Sequence, residues 1–197
     1  MAEFHRLLVL PDSFVAVPDV LLSGKSEAEL FEMTNMLPGS HLVIKSVLKT
    51  NNSSLLSALP ANTINMLQHL KPEIYTEDWV AAWLNKIRVA EKQKAAHIMV
   101  FQSRFVISVF SEGNLQILNS FSYSEKSDFL YYVLGAVNSC GLDPASTEIW
   151  LCGEINPASP LAEALSAYFI DVRYDAAPAS ADHDAAVLSS MYFPLFQ

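Results

Sequence analysis

Short apolar runs broken by turn residues fill the first quarter of the chain. Residues 4–10 and 14–17 read as strands on either side of Pro11-Asp12-Ser13, a turn composition, so the pattern predicts a hairpin. Ser26-Glu27-Ala28-Glu29 has the spacing of a capping box, in which the serine oxygen and the glutamate carboxylate satisfy orphan N–H groups at a helix start. A short helix should run from there to about Asn35 and stop at Pro38-Gly39. Residues 41–48 and 53–59 are aliphatic and β-branched on either side of Thr50-Asn51-Asn52, and predict two further strands. Helical spacing follows twice. Ile64, Leu67 and Leu70 mark one helix face, closed by Pro72. Trp79, Val80, Trp83, Leu84 and Ile87 mark a second, with Thr76 placed to cap it, Glu77 and Asp78 at its positive end and Lys86 and Arg88 at its negative end.

The polar stretch Glu91-Lys92-Gln93-Lys94 separates these elements from a second half, so the expected division is an N-terminal α/β subdomain over 1–90 and a C-terminal subdomain over 91–197. Residues 97–101 and 105–110 are strand-like around Gln102-Ser103-Arg104, and Glu112-Gly113-Asn114 turns the chain into a third strand over 115–121, which makes an antiparallel meander. Ser124 is positioned to cap a helix whose Phe129, Tyr132, Val133, Ala136, Val137 and Cys140 line one face before Gly141 ends it. Leu130, Tyr131 and Leu134 make the other side apolar too, which predicts burial between layers, with a contact surface as the alternative. Residues 148–152 form a short buried strand, parallel to an earlier one because a helix precedes it. Ser159-Pro160 starts a helix with Leu161, Ala164, Leu165 and Tyr168 inward, and residues 169–174 return as a strand. Residues 55–75 and 149–174 share the order strand, proline-bearing loop, helix, strand, a faint repeat consistent with two related subdomains.

Composition narrows the function classes. The chain has 197 residues, enough for one large domain or two small ones, and is 51% hydrophobic against 17% charged. Even so, no run of apolar residues has the length of a membrane span, and Pro11 and Asp12 end the N-terminal run before any cleavage pattern, so neither a membrane segment nor a signal peptide is expected. The expected location is the cytoplasm. A net charge of −9, with no basic cluster interleaved with aromatics, argues against nucleic acid as a partner. Cys140 and Cys152 lack metal-ligand spacing and read as small core residues.

Three strands, a helix, a strand and a helix make up the recurring subdomain of the ribonuclease-H-like and actin-like ATPase superfamily. More specifically, the chain resembles a bacterial domain-of-unknown-function family (DUF3822-like), common in Bacteroidetes and assigned an actin-like ATPase fold. The resemblance is carried by Leu118-Asn119-Ser120-Phe121-Ser122-Tyr123, Asp128-Phe129-Leu130-Tyr131-Tyr132, Leu142-Asp143-Pro144, Trp150-Leu151-Cys152-Gly153-Glu154-Ile155 and Tyr168-Phe169. It is best from His97 to Tyr174 and implies α/β subdomains, each a mixed sheet with flanking helices. The family pattern opens with a further hairpin ahead of Met1, which leaves open whether the first subdomain is complete.

An actin-like ATPase grips nucleotide with Asp-x-Gly hairpins, since glycine lets the backbone approach phosphate and the aspartate organises Mg²⁺ or water. The matching turn here reads Gln102-Ser103-Arg104, with neither residue. The superfamily's adenosine loop follows a buried strand with a Gly-Gly pair, and here the strand is followed by Gly153-Glu154. Gln102, Ser103, Arg104, Gly153 and Glu154 are therefore the weak nucleotide-contact candidates that the resemblance implies. No Walker loop, Gly-x-Gly-x-x-Gly, His-Glu-x-x-His or Gly-x-Ser-x-Gly occurs. Asp182-His183-Asp184 reads as a solvated loop rather than a metal site, because consecutive residues do not converge on one point, and the other histidines read as structural. The leading expectation is a non-catalytic protein acting through protein contacts, by a partner or by self-association, with the apolar tail Met191-Tyr192-Phe193-Pro194-Leu195-Phe196 docked back or bound to another subunit. No catalytic residue, metal or cofactor is assigned. The alternatives are a divergent ATP-binding protein of the actin and hexokinase class, with ATP and Mg²⁺ at those five residues, and a small-metabolite binder in a residual cleft.

Overall fold

The computed structural model describes residues 6–36, 40–49, 52–70 and 75–175, and Asp182-His183-Asp184 and the apolar tail lie outside them. The chain divides into two compact units, 1–87 and 88–197.

In the first unit, β1 (Arg6–Val9) and β2 (Ser13–Pro18) do not form the expected hairpin. Instead β1 pairs in parallel with β5 (Tyr75–Asp78), and β2 pairs antiparallel with β4 (Ser53–Pro60), which also pairs antiparallel with β3 (His41–Leu48). The physical reason lies in the turn. Pro11 has no N–H to give a ladder, and the Asp12 N–H donates to the Ala58 carbonyl of β4 at 3.3 Å, which directs the chain into the antiparallel sheet. β4 is the central strand of three, and residues 53–59 are all buried.

Between β2 and β3, Ser26 starts α1 (Glu27–Glu32) as the capping box requires. Its N–H donates to Glu29 Oε2 at 2.8 Å, and the Glu29 N–H donates to Ser26 Oγ at 3.3 Å. Phe31 of α1 packs in a core cluster with Val17, Leu56 and Ala58. α2 (Ala61–Leu70) follows β4 directly. Thr76 lies within β5 and so cannot cap the next helix. The cap of α3 (Trp79–Leu84) is Asp78, whose Oδ1 accepts from the Ala81 N–H at 2.8 Å. Asn85 then ties the end of α3 to the end of β3, its Oδ1 accepting from the Lys49 N–H at 2.8 Å and its Nδ2 donating to the Val47 carbonyl at 2.9 Å.

The second unit is one five-stranded sheet in the order β10-β9-β6-β7-β8, formed by β6 (Lys94–Val100), β7 (Arg104–Ser111), β8 (Asn114–Ser122), β9 (Glu148–Gly153) and β10 (Asp171–Tyr174). The first three make the antiparallel meander, while β9 runs parallel to both β6 and β10. The β7–β8 turn is set by Glu112 at φ 52° and Gly113 at φ 76°, the doubly positive pair that a two-residue hairpin with the right strand twist requires.

Helix α4 (Lys126–Ser139) connects the meander to β9, and α5 (Pro160–Ser166) connects β9 to β10. Glu125 rather than Ser124 takes the cap position of α4, and the Asp128 carboxylate accepts from both their N–H groups at 3.2 Å. Ser159 caps α5 ahead of Pro160 as its sequence dictates. Phe129, Val133, Ala136 and Val137 of α4 pack with Ile98, Phe105, Ile107 and Leu151 of the sheet in a continuous core. On the other side of α4, Leu130 and Leu134 are partly buried against this core, while Tyr131 is 72% exposed.

The internal repeat holds in order but not in the alignment that the sequence suggests. β4 is antiparallel to both its neighbours, whereas β9 is parallel to both of its own. The equivalent runs are β4–α2–β5–α3 and β8–α4–β9–α5, each an antiparallel strand, a helix, a strand parallel to the unit's first, and a helix.

Candidate functional site

β6, β9 and β10 run in one direction, and the chain leaves the carboxyl end of β6 on one side while β9 flanks it on the other. In an open α/β sheet this is where ligands bind, because the strand ends leave backbone groups and loops free to converge. The structure brings the sequence candidates together at this edge, around Val100 and Phe101. The Glu154 N–H donates to the Val100 carbonyl at 2.8 Å, and the Phe101 N–H donates to the Arg104 carbonyl at 2.9 Å.

Gly153 has a structural cause. Its φ is +91°, and a Cβ built on it would collide with the Val100 carbonyl oxygen and stand 2.9 Å from the Val100 nitrogen. The missing side chain is what lets the end of β9 lie against β6. The turn Gln102-Ser103-Arg104 closes on its own backbone: besides the Phe101 to Arg104 bond, the Ser103 carbonyl accepts from the Tyr123 N–H at 3.0 Å. Tyr123 Oη donates to the Phe101 carbonyl at 2.7 Å, and the Arg104 guanidinium lies 5.9 Å from the Phe101 ring centroid.

Burial, and then the Glu154 carboxylate nearby, raise the Tyr123 hydroxyl above its ordinary value. Asp175, immediately beyond β10, donates its N–H to the Leu151 carbonyl at 2.9 Å, and burial pushes its carboxyl up to about 6. Sequence reasoning missed Asp175, because an aspartate after an apolar run looks like any solvated turn residue.

Further in, His97 on β6 is only 5% exposed, stacked on Trp150 with centroids 6.0 Å apart and meeting the Phe110 ring edge-on at 5.8 Å. Neither ring nitrogen has a hydrogen-bond partner among the described residues, and burial pulls its pKa down to about 4. The imidazole is neutral at pH 7. In the first unit the fully buried Asp78 is raised chiefly by burial, opposed by the Ser57 hydroxyl and the Ala81 and Val80 N–H groups. Cys152 is buried and Cys140 half-buried, both as free thiols. Among the described residues no three His, Cys, Asp or Glu side chains come together as a metal site, and no helix is long and apolar enough to cross a membrane.

A meander, a helix, a parallel strand and a helix, with sheet order β10-β9-β6-β7-β8, define an α/β protein of the actin-like ATPase fold. A Bacteroides thetaiotaomicron protein described as having an actin-like ATPase fold and unknown function superposes with a TM-score of 0.78 at 18% identity, over 98% of this chain and 73% of that one. The chain belongs to the DUF3822 family, proteins of unknown function, whose family model matches residues 5–172. Pelota of Archaeoglobus fulgidus is aligned over 79% of this chain and 46% of its own, at 9% identity and a TM-score of 0.31, too low to carry an argument. No curated protein matches the chain.

Proposed function

We propose that the chain is a pseudo-ATPase: a non-catalytic protein of actin-like fold, in the cytoplasm of a bacterium of the Bacteroidetes, that acts through protein–protein contacts. The observation that carries this reading is the carboxyl edge of the second unit. A phosphate-gripping hairpin needs glycine N–H groups turned outward and an aspartate to organise Mg²⁺. At this edge the Gly153 position is taken up by the backbone of Val100, and the 102–104 turn hydrogen-bonds to itself and to Tyr123. The Glu154 carboxylate brings negative charge beside Tyr123 at this edge, which disfavours an anion there. The free thiols Cys140 and Cys152 support a reducing compartment.

Thermal unfolding with ATP and Mg²⁺ tests the reading. A ligand at 100 times its Kd would add about 2.7 kcal/mol to stability, a shift of several degrees for a domain of this size. The expected result is no shift at millimolar nucleotide. A saturable shift that is lost in Arg104→Ala would overturn the proposal and favour the divergent ATP-binding reading.

A further inference from the structure

We infer that Arg88 and Val89 form an untethered joint between two anchored flanks, and that the peptide bond joining them is where a protease specific for arginine and lysine first cleaves the folded chain. The division between the two units falls at this point, between Ile87 and Arg88. The inference goes beyond the pseudo-ATPase reading and does not depend on it.

The chain leaves the first unit under restraint. Asn85, at the end of α3, is bonded through its side chain to Lys49 and Val47 at 2.8 and 2.9 Å. The Lys86 and Ile87 N–H groups donate back to the Trp83 and Leu84 carbonyls of α3 at 3.0 and 3.2 Å. It enters the second unit under restraint as well. Residues 90–93 fold into a turn, in which the Gln93 N–H donates to the Ala90 carbonyl at 3.0 Å and the Ala90 N–H donates to Gln93 Oε1 at 3.1 Å. Gln93 Nε2 donates to Glu148 Oε2 at 2.7 Å, which ties the turn to the start of β9. Gly113, in the β7–β8 turn, comes so near that a Cβ on it would stand 3.4 Å from the Glu91 Cα. Between these anchors Arg88 is exposed and Val89 half-buried, and neither takes part in a hydrogen bond among the described residues.

Residue type then selects the protease. Nicking concentrates where backbone is exposed and not hydrogen-bonded, because elsewhere those bonds must open first. The chain has 12 Lys and Arg residues, and the others are placed less favourably. In the bond after Lys86 the Ile87 N–H is held, and in the bond after Lys92 the Gln93 N–H is held. After Lys25, the Ser26 N–H donates to Glu29. Lys49 is bonded to Asn85, and Lys71 precedes Pro72, whose ring disfavours trypsin at that bond. Arg6, Lys45, Lys94, Arg104 and Arg173 lie in strands, and Lys126 opens α4. Cleavage adds water across the Arg88–Val89 amide, so that Arg88 ends one fragment as a carboxylate and Val89 begins the other as an ammonium group.

Brief digestion of the folded full chain with dilute trypsin, read by mass spectrometry, tests the inference. The first products should be residues 1–88 and 89–197. Arg88→Gln, at an exposed position, should keep the wild-type circular dichroism and slow the first cut by roughly tenfold, since every remaining site opens only when a held bond breaks. Gln93→Ala releases the second anchor and should speed cleavage after Lys92 by about fivefold while the cut after Arg88 persists. A first cut after any other basic residue overturns the inference. So does a wild-type chain that trypsin leaves whole under conditions in which it digests the urea-unfolded chain. An unchanged rate after Lys92 in Gln93→Ala overturns it as well, because Gln93 would then not anchor the turn.

Discussion

The two units end their returning parallel strand at the same register point in opposite ways. β5 ends at Asp78 opposite Val9 of β1, and β9 ends at Gly153 opposite Val100 of β6. In the first unit that terminal residue turns straight into a helix, since the Asp78 carboxylate caps α3. In the second, residues 154–159 intervene before Ser159 caps α5, and the strand end is pressed against its neighbour instead. One topological position thus serves a buried polar cap in one unit and a bare backbone contact in the other. The fold dictates where a strand ends, and the residue at that place decides whether the edge is sealed by a helix or left as a loop.

Substitution at Gly153 bears hardest on this comparison. Gly153→Ala forces a Cβ into the Val100 backbone at a positive φ, so the parallel β6–β9 ladder must part or the loop must move. The expected loss is about 3–5 kcal/mol, from backbone strain together with an overpacked contact. Denaturant unfolding gives the magnitude, and hydrogen exchange over β6 and β9 gives the place. A loss below about 1 kcal/mol would mean that the strand end yields easily and that Gly153 has a cause other than packing.

His97 comes next, through pH. Its folded pKa lies near 4, below the 6.5 of an unperturbed histidine, because burial disfavours the imidazolium. The unfolded chain therefore takes up the proton first as pH falls. The stability that the neutral ring preserves is complete above about 6.5 and is lost progressively toward 4, reaching about 3 kcal/mol. His97→Phe keeps an aromatic ring between Trp150 and Phe110 and removes both unpartnered nitrogens. It should flatten the profile between pH 6.5 and 4 without destabilising the protein at pH 7. An unchanged acid limb would show that other groups set it.

The helix caps at Ser26 and Ser159 were legible because each is a local decision, made within four residues by hydrogen bonds that the sequence spells out. The meander and its turn at Glu112-Gly113 were legible for the same reason. The pairing of β1 was not, since Pro11 leaves the next strand two sheets to join, and the Asp12 to Ala58 bond that decides between them joins residues far apart in the chain. The cap of α3 at Asp78 rather than Thr76 was hidden for the same reason: only the pairing of β1 with residues 75–78 places Thr76 inside a strand. The candidate edge was legible at Gly153 and the 102–104 turn, where residue type signals conformation. It was not at Asp175, where only the tertiary position beside Leu151 makes the carboxylate unusual.

Asp78 sharpens the comparison from the first unit. Asp78→Ala removes the cap of α3 and should cost about 1 kcal/mol near neutral pH, the loss of the cap being partly offset by removal of a buried, unfavourably placed carboxylate. Asp78→Asn keeps an oxygen for the Ala81 N–H and should be tolerated. Equal losses in both variants, measured by chemical denaturation, would mean that the carboxylate charge rather than the cap holds this strand end.

A comparably small effect is expected at Asp175, and its sign is opposite to that of His97. The folded pKa, about 6, stands above the 3.8 of an unperturbed aspartate, so the folded chain holds this proton more tightly than the unfolded one. Its contribution is fully present below about 4 and is lost as pH rises through 6, so that ionisation costs about 1–2 kcal/mol at pH 7 after allowance for solvent screening. Asp175→Asn should therefore leave stability at pH 4 almost unchanged and raise it at pH 7. Since His97 gains over the same interval in which Asp175 loses, the wild-type profile between pH 4 and 6 should be flatter than either group alone would make it. The Asn variant should expose the steeper histidine slope. If that slope does not steepen, Asp175 is solvated, and the carboxyl edge of the second unit is more open than its packing implies.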